Sequence, residues 1–572
     1  MSKIGVFICH CGANIASSLD TSRVTQAAAA APGVVLALEH KYLCSAEGQQ
    51  LIQQAIKEHG LERIVIGACS PRMHEHTFRK MLQETSVNPN LLAIANLREQ
   101  CAWVYKDKEE ATTKASGFVE KALAKVERQQ PQTPNYLPLH KKALVIGGGV
   151  AGIQAALDIA EAGYPVTIVE REPSLGGKMM LLDKTFPTLD CAACILMPKM
   201  AEVARHPNIT LMTYSELAEV SGQIGNFQAI IRRKATHVDH SLCMGCGICE
   251  RQCPVKVKRP IGQVLGARGA IYRPFPQAIP AKPVLDAANC RMIQEGNCGH
   301  CNEVCPPSCI NYMDEDKFIT DTFGAIVVAT GYNLLDWGAC YGEYGGGRYP
   351  DIISGLQFET LLNTEGPTKG RILRPSDNQE PKEVVIVKCA GSRDPHKGKA
   401  YCSRACCMYA AKHARQVMEK IAGARCHIFY TDVRATGKGH EEFYNSALED
   451  GVNYIRGRVA KIYPEAGRLI CKGEDTLLGR PLNVMADLVV LETAMIPATG
   501  GDVLAATLGL SQDSDGWFNE AHPKLRPVET DCGGVYVAGA CLGPKDIQDS
   551  VTQAMAAAAK VCGLFSKDKL EE

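Results

Sequence analysis

Residues 143–152 read Ala143-Leu144-Val145-Ile146-Gly147-Gly148-Gly149-Val150-Ala151-Gly152, and the alanine- and isoleucine-rich stretch Ile153 to Ala162 follows. An apolar run that halts at G-x-G-x-x-G and resumes with helical character is the strand, turn and helix of a dinucleotide-binding fold. Gly147 permits the tight turn. Gly149 lets the backbone approach a pyrophosphate, and Gly152 lets helix and strand close on each other. Val166-Thr167-Ile168-Val169-Glu170 reads as the second strand, its acid 18 positions past Gly152. A carboxylate there accepts hydrogen bonds from ribose hydroxyls and disfavours a 2′-phosphate.

Outward from this core, the pattern predicts an α/β protein with a split, Rossmann-type dinucleotide fold. Residues 1–135 read as a separate small α/β domain, with apolar strands at Ile4 to Ile8 and Ile64 to Ile66 and helices around Thr21 to Ala30 and Gly48 to His59. Gln129 to Asn135, polar and proline-bearing, reads as a linker. Residues 136–236 form the first part of the dinucleotide domain. Residues 237–314, dense in cysteine and proline, read as an inserted domain, after which Gly324-Ala325-Ile326-Val327-Val328-Ala329-Thr330-Gly331 resumes the sheet. Residues 315–572 complete that fold and add a second nucleotide-type domain, ending in a charged tail expected to fray.

The 572 residues exceed one ordinary core. Lys and Arg together number 62, as do Asp and Glu, so no net field favours nucleic acid or an anionic membrane surface. No apolar run is long enough to span a bilayer. Met1 to Val6 enters a strand without a leader pattern, which points to the cytoplasm. In such a reducing compartment 26 bunched cysteines indicate metal or redox chemistry rather than a disulfide framework.

Cys243-x2-Cys246-x2-Cys249-x3-Cys253-Pro254 is the bacterial ferredoxin run, three thiolates around one cubane and the fourth on its neighbour. Cys290-x7-Cys298-x2-Cys301-x3-Cys305-Pro306 is its companion with a widened first gap. One [4Fe-4S] cluster is therefore assigned to Cys243, Cys246, Cys249 and Cys305 and the other to Cys253, Cys290, Cys298 and Cys301, with Cys309 spare. Zinc, the alternative for paired C-x2-C motifs, does not call for reciprocal runs ending in Cys-Pro. In the second nucleotide-type domain the strand Glu383 to Val387 leads not into a glycine loop but into Lys388-Cys389-Ala390-Gly391-Ser392, with Cys402, Cys406 and Cys407 beyond. These four thiols read as a cluster in place of a nicotinamide nucleotide, although adjacent side chains on a regular element diverge, so that a ligand borrowed from elsewhere or buried free thiols in a core are the alternatives. Cys9, Cys11, Cys44 and Cys69 each follow a strand-like segment and suggest a fourth cluster, with buried structural cysteines as the alternative. Cys101, Cys340, Cys426, Cys471, Cys532, Cys541 and Cys562 read as core residues, and the histidines, among them His74, His76 and His440, form no evident constellation.

The segments Leu175-Gly176-Gly177, followed by Lys178, Ala329-Thr330-Gly331, and Cys532 to Ala540 with its Gly539 resemble the two-dinucleotide-domain flavoproteins such as thioredoxin reductase and lipoamide dehydrogenase. That resemblance implies FAD rather than NAD, although those proteins usually carry Asp where Ala540 stands. It also places Cys191-Ala192-Ala193-Cys194 where their redox disulfide lies. The pair is either such a thiol/disulfide couple beside the flavin or two ligands completing the N-terminal cluster.

Cys9-His10-Cys11-Gly12, Ala68-Cys69-Ser70-Pro71-Arg72, Phe186-Pro187-Thr188-Leu189-Asp190-Cys191, Cys402-Ser403-Arg404-Ala405-Cys406-Cys407 and Gly543-Pro544-Lys545-Asp546-Ile547-Gln548-Asp549-Ser550-Val551 together resemble the HdrA-like iron-sulfur flavoproteins, the A-type subunits of heterodisulfide reductase, across nearly the whole chain. Larger members carry a further C-terminal ferredoxin domain that has no counterpart in these residues. The resemblance implies an anaerobic, electron-bifurcating oxidoreductase component with FAD and about four [4Fe-4S] clusters. It implies FAD contacts at Gly147, Gly149, Gly152, Glu170, Gly177, Lys178, Thr330, Gly331, Gly539 and Ile547. Expected partners are B- and C-like subunits, ferredoxin, and an upstream hydrogenase, formate dehydrogenase or NADH module, around a homodimer. The alternative is a self-contained NAD(P)H-dependent disulfide reductase working through Cys191 and Cys194, and a zinc-bound scaffold is a third class.

Overall fold

The computed structural model describes residues 2–133, 136–258, 265–345 and 347–571. Pro134 and Asn135 of the expected linker, and residues 259–264 of the expected insertion, lie outside the described residues. Two compact units divide the chain, Met1–Asn135 and Tyr136–Leu570.

In the first unit four parallel strands stand in the order Val34–His40, Ile4–Cys9, Arg63–Ala68, Leu92–Asn96. Every residue of Ile4–Cys9 is buried, as a strand covered by helices on both faces requires. Its helices are stopped and started by local chemistry. Asp20 accepts from the Arg23 amide to cap Thr21–Ala29, Ser45 caps Ala46–His59, and Gly60 closes that helix in the left-handed region.

The second unit holds two five-stranded parallel sheets. The first is assembled from distant pieces of chain in the order Val535–Val537, Ala325–Val328, Ala143–Ile146, Val166–Glu170, Ile209–Thr213. The helix Val150–Glu161 is buried on nearly every side because Ile547–Phe565 packs over it from outside while the sheet lies beneath. The cysteine-rich insertion leaves from Asn226–Arg233 and returns on Lys317–Phe323, which pair antiparallel with Arg233 opposite Lys317. Entry and exit are thus neighbours in one ladder, so a domain can be spliced in without disturbing the sheet.

The second sheet runs Ile352–Ser354, Leu488–Thr493, Glu383–Ala390, Arg425–Tyr430, Asn453–Arg456. The fold is therefore the expected α/β arrangement with a discontinuous nucleotide-binding sheet and a second nucleotide-type sheet. Among the described residues no helix is long and apolar enough to cross a membrane.

Candidate functional site

A cavity of about 840 Å³ opens at the carboxyl ends of the first sheet, where open α/β sheets bind ligands. Gly147, Gly149, Glu170, Gly177, Lys178, Thr330, Gly331 and Ile547 all line it. Gly152 and Gly539 stand behind the wall. A Cβ on Gly152 would lie 1.8 Å from the Gly147 carbonyl oxygen, and one on Gly539 would lie 2.9 Å from the Ala151 Cβ. Gly149 differs, since a Cβ there meets no protein atom within 4 Å. Glu170 accepts from the amides of Gly148 and Glu172, at 2.5 and 2.8 Å, while its burial pushes the carboxyl up.

Three cationic or dipolar features face the cavity. Lys178 lies 5.0 Å from the Tyr332 ring, and burial pulls its ammonium down to about 8. Lys545 donates to Gln553 Oε1 at 2.8 Å. The amino end of Ile547–Phe565, capped by Asp546, presents Ile547, Gln548 and Ser550. The position where an Asp is usual is filled by Ala540, which lines the cavity beside these groups. Thr330 Oγ1 and Glu492 Oε2 are buried without a hydrogen-bond partner among the described residues, as expected of atoms that await a polar ligand. The glycine cradle, the acid on the second strand, the helix amino end and these orphan oxygens suit a dinucleotide with a polar ring system.

The same cavity is lined by a group that the sequence did not reveal. Glu359, Lys412, His413 and Glu492 are each at most 2% exposed and line the same cavity. Glu359 contacts both Lys412 and His413, and the other His413 nitrogen lies 2.9 Å from Glu492 Oε1. Burial alone would raise the Glu359 carboxyl, but Lys412 and His413 override it and hold it down to about 2. Burial likewise disfavours the His413 cation, yet Glu492 and Glu359 lift it above the usual imidazole range. His440 also reaches the cavity, edge-on to Phe186 at 5.5 Å. The one available signal was Lys412 and His413 directly after the apolar first turns of the helix Cys406–Lys420.

The insertion folds its thiols into two groups. Cys243, Cys246, Cys249 and Cys305 surround one small cavity, and Cys309 joins them, its sulfur 3.4 Å from that of Cys305. Cys253, Cys290 and Cys298 lie within electrostatic reach of Cys301 as the second group. Gly245 and Gly247, both with positive φ, turn the loop between ligand positions. The Gly245 amide donates to Cys243 Sγ at 3.4 Å, the Ala270 amide to Cys253 Sγ at 3.3 Å, and the Tyr312 hydroxyl lies 3.1 Å from Cys301 Sγ. Donors around sulfur are what iron-sulfur thiolates require.

In the second sheet Cys389, with φ +59, is the last residue but one of a fully buried strand, while Cys406 and Cys407 begin the helix that follows. Cys406 reaches both Cys389 and Cys407, so the first helical turn brings together the adjacent pair that a regular element would separate. Cys402 and Cys389 both act on Arg393. The Cys406 thiol and the Lys388 charge hold Cys407 below the ordinary thiol range.

In the N-terminal unit Cys9 and Cys69 stand at the carboxyl ends of the two central strands, each within electrostatic reach of Cys11 and Cys44. Arg98 donates to Cys11 Sγ at 3.3 Å, and burial pushes Cys69 up to about 12. Cys191 and Cys194 are joined to each other as a disulfide at the start of Ala192–Arg205. Cys191 bridges to Lys184, a wall residue of the large cavity. Of the lone cysteines, Cys101, Cys426, Cys471 and Cys541 are buried, while Cys340, Cys532 and Cys562 are half-buried. Among the described residues no three His, Cys, Asp or Glu converge on a point tightly enough for one metal ion.

Comparison with known proteins accounts for both cofactor types. Residues 143–181 match the FAD dependent oxidoreductase family and residues 236–259 the 4Fe-4S binding domain family. A thioredoxin reductase from T. acidophilum superposes with TM-score 0.41 at 13% identity, over 74% of this chain and 99% of that one. The A-type subunit of the H(2):CoB-CoM heterodisulfide,ferredoxin reductase from Methanothermobacter marburgensis is 46% identical over all of this chain and 86% of its own length. The second A-type iron-sulfur subunit of the CoB--CoM heterodisulfide reductase from Methanopyrus kandleri is 47% identical over 98% of this chain and 85% of its own length. The cavity with its glycine cradle, the paired ferredoxin thiols and this similarity over the whole chain lead to one conclusion: the chain is an oxidoreductase that holds FAD and [4Fe-4S] clusters and belongs to the HdrA family, the A-type subunits of heterodisulfide reductase.

Proposed function

We propose that this protein is the electron-bifurcating component of a heterodisulfide-reductase-like complex, joining a two-electron donor to two one-electron acceptors held by partner subunits. When bound, FAD exchanges electrons in pairs or singly, and cubane clusters take them one at a time. The chain supplies placement. Gly147, Gly149, Gly152, Glu170, Gly177, Lys178, Thr330, Gly331, Gly539 and Ile547 hold or shape the flavin site. One ferredoxin centre is assigned to Cys243, Cys246, Cys249 and Cys305, and the other to Cys253, Cys290, Cys298 and Cys301.

The observation that carries this reading is the thiol group of Cys389, Cys402, Cys406 and Cys407. It occupies the strand-to-helix turn of the second nucleotide-type sheet, where a pyridine nucleotide would otherwise need a glycine loop. Thiols in that turn leave the chain dependent on other subunits for its donor. B- and C-like subunits, ferredoxin and a hydrogenase, formate dehydrogenase or NADH module fit that need, with the domain plan 1–135, 136–236, 237–314 and 315–572. The N-terminal thiols Cys9, Cys11, Cys44 and Cys69 add a fourth centre.

The bonded pair Cys191 and Cys194 favours one further reading, a thiol/disulfide couple in a self-contained NAD(P)H-dependent reductase. Anaerobic purification of the native complex separates the two. Copurifying subunits, about four cubanes per chain and no bleaching of flavin by NAD(P)H in the isolated chain support the relay. Direct bleaching of the isolated chain with concomitant reduction of Cys191 and Cys194 refutes it.

A further inference from the structure

The strand Glu383–Ala390 is buried at every position, yet its sixth residue is Lys388, only 5% exposed. A buried ammonium is costly unless anions and hydrogen bonds surround it. Its Nζ donates to the Asp432 carbonyl oxygen at 3.1 Å and lies 5.5 Å from the Tyr430 ring. Among the described residues no carboxylate comes within ion-pair distance of it, and the Asp432 carboxylate is engaged by Arg393 and Arg434. What lies beside Lys388 is sulfur: Cys407 Sγ donates to the same Asp432 carbonyl oxygen at 3.8 Å, and Cys389 is the next residue along the strand.

The two ferredoxin groups are built differently. Arg268, near the second group, is paired with Asp286, and Arg273, against the Gly247 turn of the first, is paired with Glu250, while the exposed Arg251 on that turn reaches the Cys246 carbonyl oxygen rather than a sulfur. The side-chain donors that touch their sulfurs are neutral, the Tyr312 hydroxyl on Cys301 and the Cys309 thiol on Cys305. Each electron added to a cluster adds one negative charge, so a fixed, desolvated cation stabilises the reduced form more than a neutral donor does.

We propose that Lys388 is a positioning residue whose buried positive charge sets the potential of the centre at Cys389, Cys402, Cys406 and Cys407 above those of the two ferredoxin centres. This rests on the assignment of that centre to these four thiols. Oxidation and reduction there move one electron and no proton. The cation makes this centre the downhill branch and leaves the ferredoxin centres as the uphill one.

The test is an EPR-monitored redox titration of the anaerobically purified full chain with Lys388→Met and Lys388→Arg. The signal is assigned to this centre by its loss in Cys389→Ser. In Lys388→Met the reduction equilibrium of this centre is expected to fall at least tenfold, about 59 mV per decade for one electron, with the ferredoxin centres unmoved. Lys388→Arg is expected to keep the native midpoint. An unchanged midpoint in Lys388→Met overturns the inference. Should Lys388→Met lose the iron of this centre, Lys388→Arg decides: retention supports a requirement for charge, and loss shows a framework role instead. If wild-type and Cys389→Ser spectra coincide, the assignment of the centre fails and the inference falls with it, whereas an unchanged midpoint in Lys388→Met overturns the inference alone.

Discussion

Alanine placed at Gly152 and, separately, at Gly149 distinguishes a glycine that the protein needs from one that its cofactor needs. At Gly152 the new Cβ would sit 1.8 Å from one backbone atom of the turn and 2.9 Å from another. Neither can rotate away. Moving that contact out to the 3.0 Å that real Cβ atoms keep parts turn and helix by about 1 Å, an overpacking that costs about 1–3 kcal/mol. The apo-protein itself should therefore melt earlier. At Gly149 φ is −79°, and a Cβ meets nothing within 4 Å, so the apo-protein should be unaffected. The methyl instead takes the space through which the helix amino end meets a pyrophosphate. Each charge-assisted hydrogen bond lost there is worth about 1.5–3 kcal/mol, a ten- to hundredfold loss of affinity. Thermal melts of apo-protein and FAD titrations followed by flavin fluorescence measure the two effects. Native FAD affinity in Gly149→Ala, or an apo melt as low as that of Gly152→Ala, refutes the reasoning.

Lys412→Met leaves Glu359 and Glu492 buried with one cation between them and should cost about 3–5 kcal/mol in chemical denaturation. Because Glu359 is held down to about 2, its stabilisation is complete above its unfolded value of 4.5 and disappears as pH falls toward 2. The raised His413 works in the opposite sense, contributing below 6.5 and fading as pH rises past its folded value; Glu359→Gln should flatten the acid limb. Tyr312→Phe removes the hydroxyl on Cys301 and should make one ferredoxin centre about two- to tenfold harder to reduce without loss of iron. Cys305→Ser should lose one cubane by iron and sulfide assay while Cys309→Ala keeps both, and loss of iron in Cys309→Ala shows that Cys309 is a ligand.

Local pattern was enough wherever the determining residues are close in sequence. The turn at Gly147 to Gly152 is specified by sterics within ten positions, and the Cys243 to Cys249 spacing by the reach of a loop around one inorganic core, so both patterns were legible unaided. The discontinuity of the first sheet was legible in part, because strands buried on both faces read as uninterrupted apolar runs at Ala143 and Ala325, whereas the piece at Val535 followed only from the resemblance to two-dinucleotide-domain flavoproteins. Spacing said nothing about groups that depend on chain segments meeting in space. Cys309 looked spare until folding set it against Cys305. Cys406 and Cys407 looked divergent until the first helical turn placed both near Cys389. Glu359, Lys412, His413 and Glu492 come from three separate elements, and Lys388 is an unremarkable residue in a sequence of 62 lysines and arginines. Charge in a string of letters carries no dielectric. Only burial, which tertiary structure alone assigns, turns a common lysine into a strong local field.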